Sequence, residues 1–300
     1  MNPVFLGYAR LARPANLPTA AADILAGAAV AGVISKIVQT NFESSSLVVD
    51  VLYLVLASVF LYAGGVILND VFDLKIDKVE RPERPIPSGL ISSSSAAVYG
   101  AGTLLLGILL AFLVSSFSGF IATALAVAIL LYDALAKKHG FFGPLCMGFC
   151  RGLNLILGMS VIGSLTYWFV ALLPIVYIFA ITLISRGEVH GKNKNHIVLA
   201  GILYAAVIFA VIYIAFVYTD SILITLLFLV LFAIIVFRPL IKAYIENSPQ
   251  NIKGAVMAGV IALIVLDASM AVTFSTWWYG LLILGLLPIS KGLSKLFAVT

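Results

Sequence analysis

Charge is scarce in this sequence of 300 residues: Asp, Glu, Lys and Arg make up 10% of it, where a soluble domain carries about 25%. Apolar and aromatic residues make up 62%, enough for nine or so membrane spans of ~20 residues each. A soluble enzyme and a disordered chain are excluded. Cysteine is nearly absent too. The two present, Cys146 and Cys150, stand four apart inside one apolar run and read as small buried hydrophobes, which excludes a disulfide scaffold. The three histidines, His139, His190 and His196, share no metal-ligand spacing, and Glu188 with His190 is not a zinc motif. No low-complexity tail or soluble domain interrupts the apolar pattern, so residues 1–300 read as one transmembrane domain.

What the chain does have is long apolar runs with polar punctuation. They fall at Leu17–Val38, Leu47–Leu68, Ala96–Val114, Phe120–Leu135, Phe142–Ile162, Tyr167–Ile184, Ile197–Val217, Ile222–Phe237 and Gly254–Val272. A shorter run, Trp277–Ile289, falls below the ~20 residues needed to cross, and reads as a tenth span or an interfacial piece. The first run follows Arg10 and Arg13 as a secretory signal would, yet it is longer than a signal core and reads as a retained helix. The fold class is therefore all-α: a polytopic membrane protein of about nine transmembrane helices.

The basic residues alternate in placement. Arg10 and Arg13 precede the first run; Lys75, Lys78, Arg81 and Arg84 follow the second; Lys137 and Lys138 the fourth; Arg186, Lys192 and Lys194 the sixth; Arg238, Lys242 and Lys253 the eighth. The opposite loops hold only Lys36. The positive-inside rule then places the N-terminus and the even-numbered loops in the cytoplasm. Lys291 and Lys295 join that side only if the short last run crosses. The net charge of +5 is thus topology and not an affinity for nucleic acid. Trp168, Trp277 and Trp278 fall on the opposite side, as an interfacial belt does.

The most polar stretch runs from Asn69 to Gly89. Asp70, Asp73 and Asp77, spaced i, i+3, i+7, share one stripe of a helix over ~10 Å. Three like charges on one stripe repel unless a cation sits among them, and hard oxygen ligands suit Mg²⁺ completed by phosphate and water. Arg81 and Arg84 follow, with guanidinium groups that match phosphate in a bidentate manner. Pro85, Pro87 and Gly89 then end the helix.

This pattern, Asn69-Asp70-x-x-Asp73-x-x-x-Asp77 followed by Arg81-Pro82-x-Arg84-Pro85-Ile86-Pro87-Ser88-Gly89, resembles the first aspartate-rich motif of the UbiA family of intramembrane prenyltransferases. Span count and loop alternation extend the resemblance over essentially the whole chain. Asn16, in Arg13-Pro14-Ala15-Asn16, resembles the family's polar residue before span one, and Tyr132 and Lys137 its Tyr-and-Lys pair after span four. The resemblance implies a prenyl diphosphate of the farnesyl or geranylgeranyl class. Its diphosphate is held on Mg²⁺, its tail lies in the bilayer, and its allylic cation is captured by an acceptor, aromatic or phosphorylated. On this reading Asn69, Asp70, Asp73, Asp77 and Glu188 hold the metal. Arg81, Arg84, Lys137, Arg186 and Lys192 bind diphosphate, while Asn16, Tyr132, Arg151, Asn154 and Ser185 line a central cavity. Asp70, Asp73, Asp77 and Tyr132 carry the catalytic role.

The second motif departs from the family. Where three aspartates are expected, the chain has Ser185, Glu188 and Lys192, still spaced as one helix stripe. Two readings follow: an active enzyme with fewer metal ions and Lys192 on the diphosphate, or a non-catalytic isoprenoid carrier that reuses the fold. An ion-coupled transporter would need its charges near the bilayer midplane, whereas this polar cluster lies at one face. Four charges do fall inside apolar runs: Asp23, Asp133, Arg151 and Asp267. Arg151 either faces the cavity near Asn154 or pairs with Asp23 or Asp267; Asp133, at a span end, reads as a wet interface position. His190 is a further candidate proton acceptor. Gly148-x-x-x-Gly152 reads as a close helix contact.

Overall fold

The computed structural model describes residues 2–39, 45–163, 165–188 and 191–297; among these residues all regular structure is helical. Fourteen α-helices follow in order: α1 (Pro3–Leu11), α2 (Leu17–Val30), α3 (Val33–Gln39), α4 (Ser45–Phe72), α5 (Leu74–Glu80), α6 (Ser93–Val114) and α7 (Ser116–Ala134), then α8 (Phe142–Met159), α9 (Leu172–Ser185), α10 (Lys194–Tyr218), α11 (Ile222–Ile245), α12 (Pro249–Phe274), α13 (Trp277–Leu284) and α14 (Leu286–Leu296). Serine caps open several of them. The side chains of Ser92, Ser115 and Ser248 accept from the backbone N–H of Ser95, Ser118 and Asn251, satisfying amides left free at a helix start.

Helix α2 is innermost, with 12 of its 14 residues buried, because Ala, Gly and Thr on every face let neighbours approach. It packs against α4, α8 and α12. The approach to α8 is at backbone distance: a Cβ on Gly27 would stand 2.2 Å from the Leu155 carbonyl oxygen, and one on Gly158 2.4 Å from that of Ile24. The Gly148 and Gly152 pair does the same against α9, where a Cβ on Gly148 would stand 2.5 Å from the Ile175 carbonyl oxygen. The outer helices α6, α10 and α11 expose Leu105, Phe209 and Leu223, apolar surface suited to lipid rather than water.

Among the described residues nine helices are long and apolar enough to cross a membrane, and ten if a bent pair counts as one span. The protein is an integral, multi-pass membrane protein in this respect. The nine differ from the expected set at both ends. The first run is not one helix: the chain breaks at Ala31–Gly32, Gly32 adopts φ +82°, and the axis bends by 64° into α3. The last run is longer than its apolar core suggests. Helices α13 and α14 together form a 20-residue span from Trp277 to Leu296. The Ser290 hydroxyl donates to the Ala15 carbonyl at 2.6 Å, so Lys291 and Lys295 lie at the end of the bundle where Arg13 lies.

Candidate active site

Helix α4 runs apolar as far as Leu68 and then places Asn69 and Asp70 at its end. The backbone breaks at Asp73, which precedes α5 at φ −88°, ψ 2°. Helical hydrogen bonding nevertheless bridges the break, from Asp73 N–H to Asn69 and from Asp77 N–H to Asp73. The continuous stripe expected for the three aspartates is thus kinked, yet Asp70 and Asp77 stay on one side and are both buried. After Gly89 turns the chain at φ +80°, Ile86 and Ile91 drop into an apolar cluster with Leu11, Ala12, Ala63 and Ile67. That anchor folds the arginine-bearing segment back over the aspartates.

Each aspartate is met by a cation. Arg84 Nη1 lies 3.2 Å from Asp70 Oδ1 and 2.7 Å from Asp77 Oδ2. Arg13 Nη2 lies 2.6 Å from Asp70 Oδ1, and Lys137 Nζ 2.6 Å from Asp73 Oδ1. Arg13 was read in the sequence only for its charge. It holds a left-handed backbone (φ 46°, ψ 63°), a conformation that costs a non-glycine residue roughly 1–3 kcal/mol and recurs where function fixes the chain. Asp133, singled out in the sequence as a charge inside an apolar run, belongs to this cluster rather than to a wet interface. It is buried and not wet; its Oδ1 accepts from Asn69 Nδ2 at 2.7 Å and its Oδ2 has no hydrogen-bond partner. Its sequence signal was a carboxylate within an apolar run, next to Tyr132.

Behind this cluster lies a cavity of about 210 Å³. Arg13, Asn69, Tyr132 and Asp133 line its mouth; Leu61, Leu125, Ile129 and Met147 its walls; and Ser58, Arg151 and Asn154 its floor. Both alternatives for Arg151 hold at once. It lines the cavity, and it pairs with Asp23, Nη1 to Oδ2 at 2.7 Å, while Nη2 donates to Thr19 Oγ1 at 2.7 Å.

The second motif is not brought to the aspartates as one stripe. Helix α9 stops at Ser185, whose hydroxyl donates back to the Thr182 carbonyl. Arg186 Nη2 donates to the His139 carbonyl at 2.7 Å instead of facing the first motif. Lys192, at φ 56°, lines a separate cleft with Asn193, Lys194, His196 and Asn247. Gly187 and Gly191, the latter at φ +65°, break the helix that a 185/188/192 stripe requires. Glu188 lies within electrostatic reach of Arg81: burial raises its pKa, and the nearby Arg81 and Lys253 oppose that rise. His190 lies outside the described residues. Asn16 ends a 3-10 turn (Pro14–Asn16), its carbonyl accepting from Thr19 Oγ1, and is not among the residues lining the cavity.

The donor set fits the Mg²⁺ that the resemblance implies. The ion pairs engage one oxygen of each aspartate, leaving the other outside them. No group of three His, Cys, Asp or Glu side chains converges as a cage among the described residues. Mg²⁺ commonly takes one or two carboxylates and completes its octahedron with phosphate oxygens and water.

A model of the UbiA prenyltransferase family matches residues 24–253. The chain belongs to this family. A digeranylgeranylglyceryl phosphate synthase of Methanococcoides burtonii is 41% identical over 142 residues, covering 45% of this chain and 50% of the relative. One of Sulfurisphaera tokodaii is 33% identical over 176 residues, covering 59% and 60%. The chain thus spans about half to three fifths of the length of these relatives. Among solved structures, a UbiA homologue from Archaeoglobus fulgidus bound to GPP and Mg²⁺ superposes with a TM-score of 0.56 at 14% identity, covering 93% of this chain and 99% of that one. A structure described as giving insights into digeranylgeranylglyceryl phosphate synthase in membranes superposes with a TM-score of 0.64 at 22% identity, over 90% and 98%. At these identities the likeness is one of fold.

Proposed function

We propose that this UbiA-family chain transfers a prenyl group from a prenyl diphosphate to an acceptor inside the membrane, with Mg²⁺ as cofactor. The single observation that carries the reading is the meeting of Arg13, Arg84 and Lys137 with Asp70, Asp73 and Asp77 at the mouth of a cavity reaching into the bundle. Carboxylates for a divalent ion and cations for a diphosphate stand side by side, as a metal–diphosphate leaving group requires. Asn69, Asp70, Asp73 and Asp77 would hold Mg²⁺, with Glu188 from the second motif nearby. When bound, the ion supplies charge stabilisation to the departing diphosphate. Arg13, Arg84 and Lys137 bind the phosphate oxygens, in a site poor in water where fixed cations act strongly. Arg81 flanks them. Tyr132, which lines the cavity, would lend its ring to shield the positive charge of the allylic carbon.

The names of the relatives point to the acceptor. A digeranylgeranylglyceryl phosphate carries two geranylgeranyl chains on one glyceryl phosphate, so the corresponding reaction here joins a geranylgeranyl group to a glyceryl phosphate bearing one chain already. The mouth of the site opens to the cytoplasm, on the side where the basic loops gather. A carrier reading draws on the second motif, which keeps Glu188 as its one acid in place of three.

Pyrophosphate release by purified protein given geranylgeranyl diphosphate, with and without Mg²⁺ and a prenylated glyceryl phosphate, decides between them. Release that needs both metal and acceptor is expected. Tight donor binding with no release under any condition would overturn the transferase and favour the carrier.

A further inference from the structure

Two helix ends meet at the mouth of the cavity, and two links join them. On the first motif Asn69 and Asp73 stand one turn apart, the Asp73 N–H donating to the Asn69 carbonyl at 2.9 Å. Opposite them, Asp133 closes α7 and Lys137 lies in the 3-10 turn (Ala136–Lys138) that follows it. Asn69 Nδ2 donates to Asp133 Oδ1 at 2.7 Å, and Lys137 Nζ meets Asp73 Oδ1 at 2.6 Å. The transfer step described above uses the second link and has no part for the first.

The first link fixes the position of one atom. An ionised carboxylate has no proton to give, so only the NH₂ of the Asn69 amide can face Asp133, and the amide oxygen is turned away from it. Asn69 lines the cavity, and among the described residues its Oδ1 takes part in no hydrogen bond. The three aspartates are each tied to a cation: Asp70 to Arg13 and Arg84, Asp77 to Arg84, Asp73 to Lys137. Asn69 oxygen needs no such exchange of partners to receive an ion.

The link is also expensive. Asp133 is only 3% exposed, and its Oδ2 is buried without a hydrogen-bond partner. A carboxylate so placed costs stability, and a neutral amide would join the two helices at lower cost. An amide at 133 could, however, meet either end of the Asn69 amide, whereas the carboxylate accepts from one end only. A pure acceptor at 133 is required where the orientation of Asn69 matters.

We propose that Asp133 is a positioning residue, which holds the Asn69 amide so that Oδ1 is presented to the divalent ion. It does for an amide ligand what a carboxylate behind a metal-bound histidine does for the imidazole. The inference rests on the Mg²⁺ site of the transferase reading and deepens it by adding a residue that touches neither the ion nor the prenyl diphosphate.

The test is a double-mutant cycle read as Mg²⁺ affinity by isothermal titration, with inorganic pyrophosphate present and the full chain in nanodiscs. Asp133→Asn, which keeps the shape of the side chain, should weaken Mg²⁺ binding about tenfold, the usual scale for losing a group that orients a metal ligand. Beside Asn69→Ala the same change should cost less than about threefold, the remainder being charge acting through space. Losses that agree within about twofold in the two backgrounds overturn the proposal. So does a lowered Tm in Asp133→Asn with Mg²⁺ affinity unchanged, which would make Asp133 a strut between α7 and α4. Pyrophosphate release from geranylgeranyl diphosphate reports separately on the transferase: no turnover by the wild type sinks that reading, while the Mg²⁺ affinities still decide the role of Asp133.

Discussion

Arg84 and Asp70 meet although fourteen residues and a proline turn separate them, and the same Arg84 nitrogen also holds Asp77. One guanidinium thereby closes the first motif upon itself. The groups that would receive a diphosphate are the counter-ions of the groups that would receive a metal.

Metal and diphosphate should for this reason bind as a pair. Mg²⁺ alone must dislodge cations from the aspartates and leave them beside a dication; diphosphate alone must approach carboxylates. Isothermal titration should show Mg²⁺ affinity rising by about tenfold or more when inorganic pyrophosphate is present, and the reverse by the same factor. Equal Mg²⁺ affinity with and without pyrophosphate would refute the exchange.

Asp73→Ala removes a metal ligand and strands Lys137, whose ammonium it pairs at 2.6 Å. Prenyl transfer should fall by about 10² or more, the usual scale for losing one preorganised electrostatic contact at a reaction centre. Pyrophosphate release at wild-type rate in this variant would show that Asp73 is not in the metal site.

Lys192 lines its own cleft and not the first motif, so Lys192→Asp should leave Mg²⁺ affinity within about twofold of wild type, well inside the range of non-contacting changes. A gain in Mg²⁺ affinity would bring Lys192 into the metal site after all.

Burial raises the Glu188 pKa above its ordinary 4.5, so the folded chain binds that proton more tightly than the unfolded one. Its contribution to stability is whole below the ordinary value and is lost as pH rises through the raised one. Glu188→Gln should abolish that dependence: Tm of the variant should gain on wild type between pH 4 and pH 7. A constant difference across those pH values would contradict the assignment.

Gly158→Ala places a methyl group 2.4 Å from the Ile24 carbonyl oxygen and must push α8 from α2. Overpacking of this kind costs roughly 1–3 kcal/mol. Because the two helices carry Arg151 and Asp23, thermal unfolding should move to lower temperature. An unchanged Tm would mean the contact relaxes without cost.

The helices were legible because lipid imposes long apolar runs, and the first motif because three acids and two arginines have no other reason to crowd a span end. The break at Gly32 and the extension through α14 were not legible. Gly32 matters through a backbone angle, and α14 is an amphipathic continuation with Ser290 turned inward to Ala15. The partners of Arg13 and Asp133 escaped because they lie 57 and 64 positions away. The second motif misled for the opposite reason. Its 185/188/192 spacing mimics a helix stripe, but Gly187 and Gly191 deny it the helix.

The apolar clip formed by Ile86 and Ile91 against Leu11 and Ala12 has a mechanical consequence. Arg84 lies two residues before one half of the clip, and Arg13 directly follows the other. The two guanidiniums that converge on Asp70 share a single hinge pin, so a shift of the amino-terminal helix drags both in concert. One apolar contact thus sets the spacing of both guanidiniums from Asp70, so loosening it by a smaller side chain at Leu11 or Ile86 would slacken two ion pairs at once.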